Sequence, residues 1–106
     1  METVMQKRNF HDLIHDLSAR VDSFIEENNY VEALLILVEA LEQNPNDADL
    51  RYKCGYILEK IGKKDEALEQ YQEALILNPG HVGTLFQLAL EQTMHYKTMH
   101  YSFTPR

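Results

Sequence analysis

Five histidines, one cysteine and 17 acidic residues are the groups in this 106-residue chain that could carry chemistry. His11 and His15 stand four apart, so on a helix both rings share one face and could reach a single metal ion, with Asp12 and Asp16 beside them. A closed zinc site takes four ligands, and nothing nearby completes one, so surface histidines are the better reading. His95 and His100 lie in a near duplication, Thr-Met-His-Tyr-Lys at Thr93–Lys97 and Thr-Met-His-Tyr-Ser at Thr98–Ser102. Its ordinary reading is an amphipathic tail that docks on the domain or frays. Cys54 is the single cysteine, which excludes an intrachain disulfide and a multi-cysteine zinc site and suits a reducing compartment. It falls in an apolar stripe beside Gly55 with no histidine to activate it, so it reads as a buried structural thiol. The carboxylates recur at helix-surface spacing, and there is no glycine-rich phosphate loop and no serine nucleophile elbow. The expectation is a non-enzyme with no catalytic residue, no cofactor and no metal.

Charge narrows the partners. The net charge of -7 argues against nucleic acid, whose phosphates need a basic surface. The distribution is uneven: Val21 to Leu50 holds eight acidic residues and no Lys or Arg, after which Arg51, Lys53, Lys60, Lys63 and Lys64 come close together. That is either two solvated helix faces of opposite sign or a polarised binding surface. The longest apolar run, Ala33–Val38, is far short of the ~20 residues that cross a bilayer, and Met1–Phe10 carries no signal-type apolar core. A cytoplasmic protein with no membrane insertion is expected.

The elements that must position these groups are all helical. Leu50, Cys54, Ile57, Leu58 and Ile61 recur on one helical face. Gly62 to Asp65 breaks the pattern, Asp65 is placed to cap the following helix, and that helix buries Ala67, Leu68, Tyr71, Ala74 and Leu75. Asn78-Pro79-Gly80 ends it, Pro because it cannot continue the ladder and Gly because it accepts a left-handed conformation. A preceding pair is built alike: Leu17, Val21, Phe24 and Ile25 face a helix from Val31 to Leu41 across Asn28-Asn29. No segment alternates with period two long enough to argue a strand. Five helices are expected, near His11–Glu27, Tyr30–Gln43, Ala48–Ile61, Lys64–Leu77 and Val82–Met94, with Met1–Phe10 as a candidate extension of the first.

The two pairs repeat. Asn44-Pro45 returns as Asn78-Pro79 at an offset of 34 residues (79 − 45 = 34), and at that offset Glu32-Ala33-Leu34 matches Glu66-Ala67-Leu68 and Glu39-Ala40-Leu41 matches Glu73-Ala74-Leu75. The period, the pairs Ala33/Ala40 and Ala67/Ala74 and the closing prolines resemble the tetratricopeptide repeat. The fuller copy, Ala48 to about Gly80, keeps Gly55, Ala67, Tyr71, Ala74 and Pro79 in the family's spacing. The first keeps Ala33, Leu37, Ala40 and Pro45 but has Val21 in place of Gly55 and Asn28 in place of Gly62. A third begins at Val82 with Leu85, Leu88 and Ala89. The resemblance covers about Ile14–Thr93. It implies an all-α fold of antiparallel helix pairs stacked as a short right-handed solenoid: an extension over 1–13, repeats at about 14–47 and 48–81, a capping helix at 82–94 and a tail at 95–106.

The resemblance also implies a function, the binding of a protein or peptide partner in a concave groove lined by the first helix of each pair. The groove residues would be Tyr52, Lys53, Tyr56 and Lys60 in the second repeat, Phe86, Gln87, Leu90 and Met94 in the terminal helix, and Ser18, Ala19, Asp22 and Glu26 in the first. One end is aromatic and aliphatic and the other acidic, and Lys53 and Lys60 would favour acidic neighbours. One subset of the family grips the carboxylate of chaperone tails with Lys and Asn at set positions. Here Ser18, Asp22 and Tyr56 depart from that pattern, so a chaperone tail is not expected. A homodimer formed through exposed apolar helix faces or the C-terminal tail is the alternative, because two complete repeats and one helix fall short of three. Leu35 and Val38 also stand where the sister repeat has Glu69 and Gln72, and Ile76 takes a polar position. Val4, Met5 and Phe10 are the chain's own candidates to cover them.

Overall fold

The computed structural model describes residues 2–91, with side chains from residue 12 onward. Helices α1 (Glu2–Glu26), α2 (Tyr30–Gln43), α3 (Ala48–Lys60) and α4 (Lys64–Leu77) are followed by a fifth, α5, whose described part is 82–91. α1 packs on α2, α3 packs on α4, and α2 joins the two pairs through α3. The result is an all-helical repeat of antiparallel pairs. α1 is 25 residues long and takes in the extension, so it begins well before His11.

The turn inside each pair is the same device written with two residues. Asn28 and Gly62, 34 apart, hold positive φ of 63° and 90°. At each, the next residue's N–H reaches back across the helix end, Asn29 to the Phe24 carbonyl and Lys63 to the Leu58 carbonyl, both at 2.8 Å. A second bond, spanning fewer residues, closes inside it, Asn28 N–H to the Ile25 carbonyl at 3.0 Å and Gly62 N–H to the Glu59 carbonyl at 3.1 Å. This is the glycine-type helix stop that satisfies the last carbonyls, and Asn is the side chain that tolerates it best after Gly.

Three local expectations are corrected. Asp65 does not cap α4: Lys63 takes that position with no side-chain bond, and Asp65 lies inside the first turn, where its charge meets the helix dipole. The capping aspartate is Asp47, which accepts from the Asp49 and Leu50 N–H groups at the head of α3. Gly80 uses no left-handed conformation, because Asn78 closes that turn itself. Its side chain accepts from Gly80 N–H at 3.1 Å and its carbonyl from His81 N–H at 3.0 Å. Ile61, placed in the core stripe by spacing, is exposed because α3 ends at Lys60 and Ile61 only caps it.

The core runs through both pairs: Leu17, Val21, Ala33, Leu37 and Ala40, then Leu50, Cys54, Ile57, Leu58, Ala67 and Tyr71. The alanines let helices approach closely. Gly55 does so further, since a Cβ there would lie 2.6 Å from Tyr71 Cε1 and 3.1 Å from the Ala67 carbonyl oxygen. The Tyr71 ring fills the space a side chain at 55 would need. At the matching positions of the first pair, Val21 and Leu37 are both fully buried.

Candidate functional site

The 34-residue register arranges α1, α3 and α5 in rows: Ser18, Tyr52 and Phe86; Ala19, Lys53 and Gln87; Asp22, Tyr56 and Leu90. The fourth row is Glu26 and Lys60, with Met94 outside the described residues. These rows hold the residues expected to line the groove, and the structure gives them unequal parts.

Tyr52 is the hub. Its ring lies 5.1 Å from His81, 6.2 Å from Tyr71 and 6.3 Å from Tyr56, centre to centre. It covers Gly83 so closely that a Cβ there would sit 2.9 Å from Tyr52 Cζ. Burial pushes the Tyr52 hydroxyl above its ordinary pKa, with a hydrogen bond from the Gln87 side chain opposing. Tyr71 is raised further, first by burial and then by the 2.8 Å hydrogen bond it donates to Glu59. Tyr52 therefore seats α5 against α3 and offers only part of its ring outward.

Lys53 is engaged. Its side chain is 13 % exposed, and its ammonium donates to Ser18 Oγ at 2.7 Å and faces Asp22 at 2.9 Å and Asp49 at 3.3 Å. An ammonium has three protons, and three oxygens meet them. The contact ties α1 to α3. Asp49 also lies 3.4 Å from His81 Nε2. His81 Nδ1 accepts from the Thr84 N–H at 3.2 Å, so it carries no proton and the ring's N–H points toward Asp49. The Thr84 hydroxyl is 3.0 Å from the same nitrogen.

What stands open is the end formed by α3 and α5. Lys60 lies 5.2 Å above the Tyr56 ring, a cation–π pair. Phe86 is 60 % exposed, Leu90 43 %, and Gln87 is half-buried. Asp22 and Glu26 leave the opposite end acidic and exposed. On the outer face Leu35, Val38 and Ile76 are exposed, while the side chains of Val4, Met5 and Phe10 lie outside the described residues.

Of the chemical candidates, Cys54 is buried and burial raises its thiol pKa, with Arg51 opposing. His15 is exposed, and the His11 side chain, His95 and His100 lie outside the described residues. Among the described residues no three His, Cys, Asp or Glu side chains converge on a metal position. No helix among them is long and apolar enough to cross a membrane.

Asp49, His81, Gly83 and Thr84 were not singled out by sequence reasoning. The register contained the signal: His81 stands 34 after Asp47, the cap of α3, and bonds the head of α5 in the same way. Thr84 stands 34 after Leu50 and is equally buried.

A model of the tetratricopeptide repeat matches residues 24–89, more than half of the chain. With the helix pairs and their register, this decides the class: the chain belongs to the tetratricopeptide repeat family, whose members are protein-interaction scaffolds. Among its relatives is the photosystem I assembly protein Ycf3 of Acaryochloris marina. The two are 34 % identical over 84 residues, 76 % of this chain and 46 % of that protein. Ycf3 of Rippkaea orientalis is likewise 34 % identical over 84 residues, 76 % of this chain and 44 % of that protein. A TPR repeat-containing protein of Methanocaldococcus jannaschii is 35 % identical over 51 residues, 48 % of this chain and 16 % of its own length. The chain thus spans less than half the length of these relatives. Among solved structures, the second TPR of Spaghetti (RPAP3) bound to an HSP90 peptide, SRMEEVD, superposes with a TM-score of 0.73 at 18 % identity, covering 88 % of this chain and 85 % of that one. A MamA mutant gives 0.66 at 24 % identity over 82 % of this chain and 65 % of that one. At these identities the likeness is one of fold.

Proposed function

We propose that the chain binds a peptide or short helix of a partner protein in the groove lined by α1, α3 and α5. The observation that carries this is the exposure of Phe86 and Leu90 on the rows that hold Tyr52 and Tyr56, which sets aromatic and aliphatic side chains in neighbouring rows. Tyr56, Phe86, Gln87 and Leu90 supply contact area, and large rigid side chains of this kind dominate binding energy. Lys60 supplies the exposed cation, so the ligand presents apolar anchors with an acidic residue beside them. Lys53 and Tyr52 form the floor. Lys53 is already neutralised by Asp22 and Asp49, so binding rests on apolar contact and not on a carboxylate clamp. The peptide named with the RPAP3 domain supports a fold of this kind as a seat for a peptide.

Peptides selected from a random displayed library against the whole chain test the reading, with affinity read by fluorescence anisotropy. Tyr56→Ala and Phe86→Ala should each weaken the selected peptides about tenfold. Unchanged affinity in both would sink it. A second reading, a homodimer, is favoured by the exposure of Val82, Leu85, Phe86 and Leu90 together on α5. Molar mass by light scattering across concentration separates the two, since a dimer that Phe86→Ala dissolves would place a second copy in the groove.

A further inference from the structure

We infer that the outer face of α2 is a second docking surface, separate from the groove, and that its occupant is a basic amphipathic helix. Val31, Leu35 and Val38 fall at i, i+4 and i+7, on one line along α2 opposite the buried Ala33, Leu37 and Ala40. They are 64 %, 66 % and 48 % exposed. The sister repeat is an internal control. At the same register α4 carries Asp65, Glu69 and Gln72, all exposed, so the position faces solvent and the fold does not require apolar side chains there. Three apolar residues in a row at solvent-facing positions expose a patch that water disfavours and a partner removes.

Charge says which partner. Glu32 and Glu39 flank the stripe on one side, Glu42 closes its C-terminal end, and all three are exposed. None of the three is in an ion pair with another described residue. From Val21 to Leu50 the sequence holds no Lys or Arg. The cations at the head of α4 already have carboxylates: Lys63 faces Glu66 at 4.0 Å and Lys64 faces Glu91 at 3.3 Å. An apolar line flanked on one side by carboxylates that have no ion-pair partner among the described residues is complementary to a helix with an apolar stripe and Lys or Arg along its edge. A second copy of the same face fits poorly, because a two-fold contact would set Glu32 and Glu39 against their own kind. The stripe covers two helical turns, roughly 10 Å, the reach of three anchors on a partner helix.

The experiment uses the whole chain and a fluorescein-labelled amphipathic helical peptide of Leu and Lys, with a Leu and Glu peptide of the same pattern as control. The key variant, Leu35→Glu with Val38→Gln, writes the second repeat's residues into the first. Both sites are exposed, so thermal unfolding should be unchanged. The basic peptide should bind, the acidic one should not, and the double variant should lose about tenfold in affinity. The variant adds a negative charge, so attraction by net charge alone would strengthen binding, and that outcome overturns the inference. Equal binding, or no binding by the unmodified chain, overturns it too. A doubling of molar mass that only the double variant abolishes would assign the stripe to a second copy and overturn the basic helix. Glu39→Lys is the second variant: it leaves the stripe intact and should weaken the basic peptide alone. Tyr56→Ala should leave this peptide unaffected, which keeps failure here distinct from failure of the groove.

Discussion

Gly55→Ala sets two effects of opposite sign against each other. In a helix interior, Ala is favoured over Gly by about 1 kcal/mol. On that ground alone the substitution would stabilise α3. The new Cβ, however, would sit 2.6 Å from Tyr71 Cε1 and 2.7 Å from Cδ1. The ring cannot step aside cheaply, because it is buried, held by its bond to Glu59 and packed near Tyr52. Forced overlap in a filled core costs roughly 1–3 kcal/mol. The clash wins, and the expected net loss is about 1 kcal/mol, or a midpoint lower by roughly 4–8 °C. In a Tyr71→Leu background the ring is gone, and the Ala67 carbonyl oxygen at 3.1 Å is the close neighbour still set against the helix preference. There Gly55→Ala should be neutral or stabilise by up to about 1 kcal/mol, giving a coupling of about 1–2 kcal/mol in a double-mutant cycle. Urea unfolding of the four proteins, followed by far-UV circular dichroism, measures it. If Gly55→Ala raises stability equally in both backgrounds, the reasoning about Tyr71 is wrong.

Gly83→Ala should lift α5 from α3, since its Cβ would strike the Tyr52 ring, and amide exchange over 84–91 should quicken about tenfold while α2 is unchanged. At Asn28, Gly should be neutral or stabilising and Ala should cost about 1 kcal/mol for its left-handed backbone, and Asp47→Ala should cost about 1 kcal/mol through the lost cap, both read by chemical unfolding. Alkali should unfold the chain: Tyr71 and Tyr52 are raised above the ordinary 10.0, so the unfolded tyrosines ionise first. Stability should hold below pH 10 and fall as pH rises beyond it, less steeply in Tyr71→Phe.

The parts of the fold legible in the sequence were those encoded by period. The spacing of Ala33, Leu37 and Ala40, and of Ala67, Tyr71 and Ala74, placed α2 and α4 at their observed bounds. What spacing could not show was which side chain takes a bond that several could take. Asp65 and Asp47 both precede apolar runs, but only Asp47 stands one step outside its helix with an extended backbone, and only there can it accept from the first turn. Gly62 and Gly80 both follow a helix, yet Asn78 closes one turn with its own side chain and Gly80 takes no left-handed conformation. The groove rows were legible for the same reason as the helices, but the division of labour within them was not. Lys53 reads as a free cation until Ser18, Asp22 and Asp49, from two helices, are seen around it.

The two ways of filling the space between paired helices bear on the gene as well as on the protein. Sequences repeated in tandem recombine out of register, deleting or adding a unit. A deletion whose crossover falls between codons 21 and 37, and the matching 55 and 71, would join Val21 to Tyr71 in one hybrid pair, a larger overlap than the alanine above. The reciprocal expansion would join Gly55 to Leu37 and leave a hole. Crossovers through Asn44-Pro45 and Asn78-Pro79 keep each pair whole. Divergence at one buried contact thus closes the stretch between its two partners to changes in repeat number.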